Sequence, residues 1–221
     1  TPPVDGKDSL LTHNEVTTLF HEFGHGLHHM LTHVEAADVS GISGVPWDVV
    51  ELPSQFLENW CWQEESIPLI SRHFETGESL PKALLDKMLA AKHFQSSMLM
   101  MRQLEFSLFD FQLHRDFSES EQTDVLKLLD GIRDKVSVKK QPDYTRFSHA
   151  FSHIFAGGYA AGYYSYKWAE VLAADAFSRF EEEGIFNKET GQSYKQEILE
   201  VGGSKEAMDM FVAFRGRKPS V

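Results

Sequence analysis

The sequence has 221 residues, of which 42% are hydrophobic and 24% charged, a balance typical of a soluble globular protein and not of a disordered or fibrous one. Lysine and arginine number 21 against 33 acidic residues, for a net charge of −12, which argues against nucleic-acid binding. The single cysteine, Cys61, excludes an intrachain disulfide framework and favours a reducing compartment such as the cytoplasm. Eleven histidines are unusually many and suggest metal binding.

Apolar residues recur at three- and four-residue spacing from residue 12 to about residue 34, which predicts an amphipathic first helix. Thr12 followed by Glu15 is the pattern of a capping box at its start. A glycine-rich link leads to a second helix predicted over 51–63, whose first turn Pro53 should kink or delay. Further helices are predicted near residues 80–93, 95–117, 121–136, 145–154, 160–183, 189–200 and 204–214.

No run of alternating apolar and polar residues predicts a strand of normal length, apart from a short extended piece near residues 42–45. The predicted fold class is therefore all-α, with many helices. No stretch approaches the roughly 18 consecutive apolar residues that span a bilayer. No repeat or linker divides the chain, so residues 1–221 are predicted to form one domain.

Residues 21–25 read His-Glu-Phe-Gly-His within the first helix. His21 and His25 are four residues apart on one face, so both imidazoles can reach one ion, and Glu22 points to the open side of that ion. Zinc peptidases use this arrangement, in which the carboxylate accepts a proton from a metal-bound water as it attacks a carbonyl. The motif predicts one zinc ion per chain.

A third ligand is expected from the second helix, where Glu51 would complete a His₂Glu site. The alternative for Glu51 is a surface carboxylate favoured by the helix dipole. On a continuous helix, Gln55 and Glu58 follow at i+4 and i+7, where they could orient the metal ligands. A solvated or structural role fits either of these two residues equally well.

The other histidines carry weaker signals. His28 and His29 extend the histidine stripe by one further turn, and helix packing or surface exposure is favoured over a role as a fourth ligand. Four more have no ligand spacing and are treated as surface or packed residues: His33, His73, His93 and His114.

Four of the six tyrosines lie between residues 159 and 166. Tyr159, Tyr163 and Tyr166 are spaced i, i+4 and i+7, and where the segment is helical they share a face. A packed aromatic helix is one interpretation. Beside a zinc site, the phenols would instead donate hydrogen bonds to the oxyanion that forms when water attacks a peptide carbonyl.

The residues just before these tyrosines add two further predictions. His153 could supply another hydrogen-bond donor to the oxyanion. Gly157 and Gly158 could let the loop close on a bound substrate.

The motifs at residues 20–28, 51–60 and 153–168 together resemble the thimet oligopeptidase family (peptidase family M3) of zinc metallopeptidases, and within it a bacterial branch. The resemblance covers essentially the whole chain. It implies that His21, His25 and Glu51 are the zinc ligands and that Glu22 is the general base and acid.

The same resemblance assigns roles in the third motif. It implies that His153, Tyr159 and Tyr166 contact the transition state. It implies that Tyr163 contacts the substrate. Gly157 and Gly158, in the loop before Tyr159, are predicted to be substrate-binding residues as well.

The resemblance also implies a longer natural chain, because members of the family carry an N-terminal helical portion that forms the opposite wall of a deep channel. Residues 1–221 are therefore expected to be the catalytic part alone. Its expected partners are short peptides, together with the missing N-terminal half or a second copy that covers an exposed apolar face. Neither nucleic acid nor a membrane is expected as a partner.

The predicted function is a cytoplasmic zinc-dependent endopeptidase for short oligopeptides. One alternative is a non-catalytic helical scaffold or partner-binding fragment with a structural metal, inactive without the N-terminal half. Another is a hydrolase for an ester or cyclic amide, which would use the same zinc chemistry and which only the resemblance disfavours.

Overall fold

The structure is a computed structural model that describes residues 2–6, 8–119 and 123–220. It is 61% helical and contains no strand in the described part of the chain, so the predicted all-α class is confirmed. Among the same residues, no helix is both long and apolar enough to cross a membrane.

Twelve α-helices follow one another along the described chain: α1 His13–Met30, α2 Trp47–Val50, α3 Leu52–Glu58, α4 Ile67–Ile70, α5 Lys82–Lys92, α6 Ser96–Asp116, α7 Val125–Val136, α8 Phe147–Ala150, α9 Ser152–Phe155, α10 Ser165–Glu183, α11 Lys188–Tyr194 and α12 Ala207–Arg215. Two short 3₁₀ segments, Ala37–Val39 and Asn59–Trp62, and a π-helical turn, Lys195–Leu199, complete the helical structure.

The chain divides into two compact units. Unit 1 consists of Thr1–Leu89 and Trp168–Val221, and unit 2 consists of Ala90–Lys167. Each unit has a hydrophobic core of its own. The single domain over residues 1–221 stays a prediction.

The core of unit 1 is rich in aromatic rings. The ring of Phe56 stacks on Tyr194 at a centroid distance of 3.9 Å and meets Trp60 and Phe180 edge-on at 5.1 and 5.4 Å. Such contacts add to the burial of apolar area. The buried members are Val49, Leu52, Phe56, Leu172, Ala173, Ala176, Phe177, Phe180, Ile185, Tyr194, Ile198, Leu199, Met210, Phe211 and Phe214.

Helix α1 begins where the sequence predicts and ends earlier than predicted. The Thr12 side chain accepts from the Glu15 N–H and the Glu15 carboxylate accepts from the Thr12 N–H, so the capping box is confirmed. The helix ends at Met30 instead of near residue 34. Its apolar stripe is also less buried than predicted, since Leu19 and Phe23 are 56% and 53% exposed.

Helix α1 packs closely on α3 through a glycine. A Cβ atom at Gly24 would lie 2.6 Å from both the backbone oxygen of Pro53 and the Cα of Ser54. Only glycine therefore allows the two backbones this separation. The contact places the histidine motif of α1 beside the first turn of α3.

The second predicted helix, 51–63, is broken into α2, α3 and the 3₁₀ turn Asn59–Trp62. Glu51 lies in the turn between α2 and α3, and Pro53 occupies the first turn of α3. A proline is tolerated there because the first N–H groups of a helix have no intrahelical acceptor. The break that the sequence predicts in this helix because of Pro53 therefore falls at Glu51.

The remaining boundaries differ mainly at helix starts. Helix α7 begins at Val125, after Asp124, whose side chain accepts from two backbone N–H groups; the predicted start at residue 121 lies outside the described residues. The predicted helix over 145–154 is two single turns separated at Phe151. Residues 42–44 form a turn, residue 45 is irregular, and no strand forms there; the short helix α4 was not predicted.

The core of unit 2 forms where α6 and α7 pack together with the turns α8 and α9. Its buried members are Phe109, Leu113, Leu129, Ile132, Phe151, Ile154 and Tyr163. The predicted helix over 160–183 begins only at Ser165. Tyr159 and Tyr163 therefore lie in a turn segment that leads into α10.

Candidate metal centre

Helix α1 presents two histidines on one face. His21 and His25 are one turn apart, and their ring centroids are 5.0 Å apart. Each side chain is about one-fifth exposed, at 19% and 20%. Both rings are therefore partly open to solvent.

Glu51 approaches the same two rings from the turn before α3. Its carboxyl oxygen Oε2 lies 3.3 Å from His21 Nε2 and 3.2 Å from His25 Nε2, and its side chain is fully buried. These three residues form a group whose potential ligand atoms all lie within 4.8 Å of one another. The structure thus brings together the three predicted zinc ligands.

The donor set and its spacing fit zinc. Two imidazole nitrogens and one carboxylate oxygen are the ligands of many catalytic zinc sites. In a tetrahedron with bonds of about 2.0–2.1 Å, neighbouring ligand atoms are roughly 3.3–3.4 Å apart. The two nitrogen–oxygen distances of 3.3 and 3.2 Å match this spacing.

Glu58 orients the first histidine. Its Oε1 lies 2.7 Å from His21 Nδ1, so a proton on Nδ1 is donated to Glu58 and the lone pair of Nε2 is directed at the metal position. Of the two roles that the sequence leaves open for Glu58, this contact supports orientation of His21, a predicted metal ligand. Gln55 is half-buried on α3.

Two carboxylates, those of Glu51 and Glu58, raise the pKa of His21. Burial lowers its pKa, but hydrogen bonds and charge interactions with Glu51 and Glu58 outweigh burial and raise the pKa to about 9. Metal-free His21 is therefore protonated at neutral pH, and a metal ion that binds must displace that proton.

Ser54 holds the third ligand. Its buried hydroxyl lies 2.9 Å from both Oε2 and the backbone oxygen of Glu51. Ser54 was not among the residues predicted from the sequence, although a serine three residues after a carboxylate that begins a helix is a detectable signal. The hydroxyl restricts the rotation of the Glu51 carboxylate.

Glu22 and the two later histidines of α1 differ in burial. Glu22 is exposed beside His21, where its carboxylate is open to solvent. His28 is buried and His29 is exposed. Neither belongs to the potential metal group found among the described residues, in agreement with their predicted packing and surface roles.

Unit 2 contains the second group of predicted residues. The rings of Tyr159 and Tyr166 stack at 5.2 Å, and His153 lies edge-on to them at 6.1 and 6.2 Å. The cluster forms although Tyr159 is not helical, because the turn before α10 brings the rings together. Tyr159 and Tyr166 are half-buried and His153 is exposed.

Tyr163 occupies a different environment from its two neighbours. It is 8% exposed, its hydroxyl donates to Gln103 Oε1 at 3.1 Å, and burial raises its pKa. The geometry gives the ring a packing role in unit 2, and its contact with substrate stays a prediction.

The two glycines before Tyr159 have distinct local roles. A Cβ at Gly157 would lie 3.0 Å from the backbone oxygen of His153, and Gly158 has a φ of +85°. Both positions thus favour glycine for the shape of the turn. Their predicted role in closing on substrate stays a prediction.

Comparison with known proteins identifies a family and several similar relatives. Residues 1–221 match Peptidase family M3. The chain is 66% identical to oligopeptidase A of Escherichia coli over 219 residues, which are 99% of this chain and 32% of that protein. It is 49% identical to the probable cytosolic oligopeptidase A of Arabidopsis thaliana over 100% of this chain and 32% of that protein.

A more distant relative is saccharolysin of Saccharomyces cerevisiae, with 35% identity over 97% of this chain and 30% of that protein. The chain thus spans about a third of the length of the curated relatives that it matches. The resemblance to a bacterial branch of the family is confirmed by the identity to bacterial oligopeptidase A.

Proposed function

Since the chain belongs to peptidase family M3, we propose that it is the zinc-binding catalytic part of an endopeptidase that hydrolyses short oligopeptides. The observation that carries this proposal is the convergence of His21, His25 and Glu51, with nitrogen–oxygen distances of 3.3 and 3.2 Å. The relatives named oligopeptidase A support the class of substrate.

His21, His25 and Glu51 would hold one Zn²⁺, which when bound supplies a Lewis acid for the scissile carbonyl and acidifies water. Glu22, exposed beside His21, accepts the proton of the attacking water and returns it to the amine that leaves. Glu58 and Ser54 keep two of the ligand side chains in their binding orientations.

The phenols of unit 2 act on the substrate in this proposal. Tyr166, with Tyr159 or His153, donates hydrogen bonds to the oxyanion that develops on the carbonyl oxygen. Tyr163 and the backbone of Gly157 and Gly158 contribute to substrate binding. Family membership and the clustering of the Tyr159 and Tyr166 rings support these roles.

The proposed setting is the cytoplasm, and the proposed partners are short peptides and the remainder of a longer polypeptide or a second copy. The single buried cysteine supports a reducing compartment. The Arabidopsis relative named as cytosolic supports the same location.

The variant Glu22→Gln tests the mechanism. We expect it to lose nearly all hydrolysis of an internally quenched peptide while its zinc content, measured by elemental analysis, stays near one per chain, because the amide cannot accept the proton. The matched control is Glu35→Gln, an exposed carboxylate in the same unit, which should keep full activity. Sustained turnover by Glu22→Gln would refute the assignment, and zinc without turnover in the unmodified protein would favour a structural metal.

A further inference from the structure

The turn that carries the tyrosines has an unusual backbone. Between Gly157 and Tyr164 the chain is not helical, and Ala161 has a φ of +56°. An L-amino acid other than glycine disfavours this left-handed region, because its Cβ approaches the following carbonyl oxygen. Besides an internal hydrogen bond from the Gly162 N–H to the Tyr159 backbone oxygen at 2.8 Å, contacts from outside the turn support this shape.

The carboxylate of Asp110, on α6, supplies those contacts. Oδ1 accepts from the N–H of Ala161 at 2.8 Å, and Oδ2 accepts from the N–H of Tyr163 at 2.9 Å. Asp110 is fully buried, and His114, one turn later on the same helix, places its Nδ1 2.9 Å from Oδ1. Hydrogen bonds to a buried charged group are among the stronger ones in proteins.

The backbone that Asp110 holds fixes the positions of the aromatic rings. Tyr159 precedes the bonded N–H groups by two residues and Tyr166 follows them by three, and their rings stack at 5.2 Å. Tyr163 contacts the ring of Tyr166 at 5.2 Å and bonds Gln103 of α6. A change in the turn would therefore displace both phenols together.

We propose that Asp110 is a positioning residue for catalysis, which fixes the turn through two backbone N–H groups and thereby holds the hydroxyls of Tyr159 and Tyr166 where they act on the substrate. This inference rests on the proposed function. Asp110 itself touches neither substrate nor metal in this role. It acts through the backbone of Ala161 and Tyr163.

The first experiment replaces Asp110 with asparagine in the intact native polypeptide loaded with zinc. Asparagine has the same shape but only one acceptor oxygen, and its NH₂ group would face a backbone N–H donor. We expect kcat for a quenched peptide to fall about tenfold or more, with a smaller change in KM, since small displacements of groups that act in the transition state are costly. Zinc content should be unchanged, and Asp116→Asn, at the exposed end of α6, should keep the native kcat.

The deciding measurement is a mutant cycle against a background that carries both Tyr159→Phe and Tyr166→Phe. If Asp110 acts by positioning the two phenols, Asp110→Asn should lower kcat by less than about twofold once both hydroxyls are absent. A purely structural role would give independent effects, with the same loss of kcat in both backgrounds. Additive effects in this cycle would overturn the positioning role and leave the proposed function standing.

Two further variants keep the test informative. Ala161→Gly should restore part of the kcat lost in Asp110→Asn, because glycine adopts the left-handed conformation without support. If Asp110→Asn fails to fold, His114→Leu removes a donor to the carboxylate from a partly exposed site, and its loss of kcat should likewise disappear in the background that carries both Tyr159→Phe and Tyr166→Phe.

The result for Tyr166→Phe alone separates the two claims. An unchanged kcat in that single variant would refute the phenol role in the proposed function, and the positioning role of Asp110 with it. A lowered kcat in Tyr166→Phe, combined with a native kcat in Asp110→Asn, would refute the positioning role only.

Discussion

Buried ionisable side chains in unit 1 differ in the polar partners that surround them. Glu51 is fully buried and is held by the hydroxyl of Ser54 and by two histidine nitrogens. A buried carboxylate without such partners would be expensive to ionise. In the proposed site, this carboxylate would supply the negative charge that favours a cation.

His28 shows the opposite behaviour. Its side chain is buried, and neither ring nitrogen has a hydrogen-bond partner among the described residues. Burial, followed by the nearby His25 and His29, lowers its pKa to about 4. The folded protein therefore holds His28 as a neutral ring at neutral pH.

The lowered pKa of His28 predicts that the folded protein loses stability in acid. Because the folded pKa of about 4 lies below the ordinary histidine value of 6.5, the unfolded chain binds the proton first. The stability that neutral His28 contributes above pH 6.5 is therefore lost as the pH falls toward 4. His28→Leu should remove on the order of 2–3 kcal/mol of the stability difference between pH 7.5 and 4.5.

Urea unfolding of the chelator-treated protein at the two pH values measures this effect without interference from metal release. His93→Leu, which changes an exposed histidine, is the control and should retain the native pH dependence. An identical loss of stability in His28→Leu and the unmodified protein would show that His28 is not the titrating group.

Among the elements, the packing of α1 on α3 brings the three predicted metal ligands together. Gly24 allows their close packing, since a Cβ atom there would lie 2.6 Å from backbone atoms of Pro53 and Ser54. Backbone atoms cannot move aside as a flexible side chain can. The separation of these two helices in turn places Glu51 against both histidines.

Gly24→Ala should therefore lower both stability and metal affinity. We expect a loss of about 1–3 kcal/mol in the free energy of unfolding, typical of overpacked interiors, together with weaker zinc binding. Gly26→Ala is the matched control on the same helix, because its Cβ would meet only Met30 Cε at an ordinary 3.7 Å, and alanine favours a helix by about 1 kcal/mol over glycine.

Urea titration and competition with a zinc indicator measure the two quantities. Equal stability and equal zinc affinity in the two variants would contradict the packing argument.

At the scale of the whole molecule, a bound metal would link distant parts of unit 1. His21 and His25 belong to α1, and Glu51 lies in the turn before α3. An ion bound by all three would connect these two elements, and it could do so only in the folded state. Ligands that bind only the folded state stabilise it by mass action, by about 4 kcal/mol at a concentration 1,000 times Kd.

Removal of zinc by a chelator should therefore lower the apparent Tm by several degrees, and readdition of zinc should restore it. The variant His21→Ala, which loses a ligand, should bind substoichiometric zinc and show an apparent Tm that does not respond to the chelator. Differential scanning calorimetry with elemental analysis measures both. An unmodified protein whose apparent Tm ignores zinc removal would show that the centre does not couple the two elements.

Local sequence patterns predicted the features that depend on near neighbours in the chain. The capping box at Thr12 and the histidine pair of α1 follow from three- and four-residue spacing, because a helix places such residues on one face. Periodicity also predicted the all-α class. Helix starts were less predictable, as in the tyrosine segment, since the hydrogen bonds from Asp110 stabilise a turn where the spacing favours a helix.

The sequence by itself determined the helical class, the family, and which residue types can bind zinc, because these depend on local spacing and on motifs read in order. Only the tertiary structure decided that Glu58 contacts His21, that Ser54 holds Glu51 and that His28 is buried. Those facts depend on how closely α1 approaches α3. The contact at Gly24 sets that distance, and no pattern within either helix encodes it.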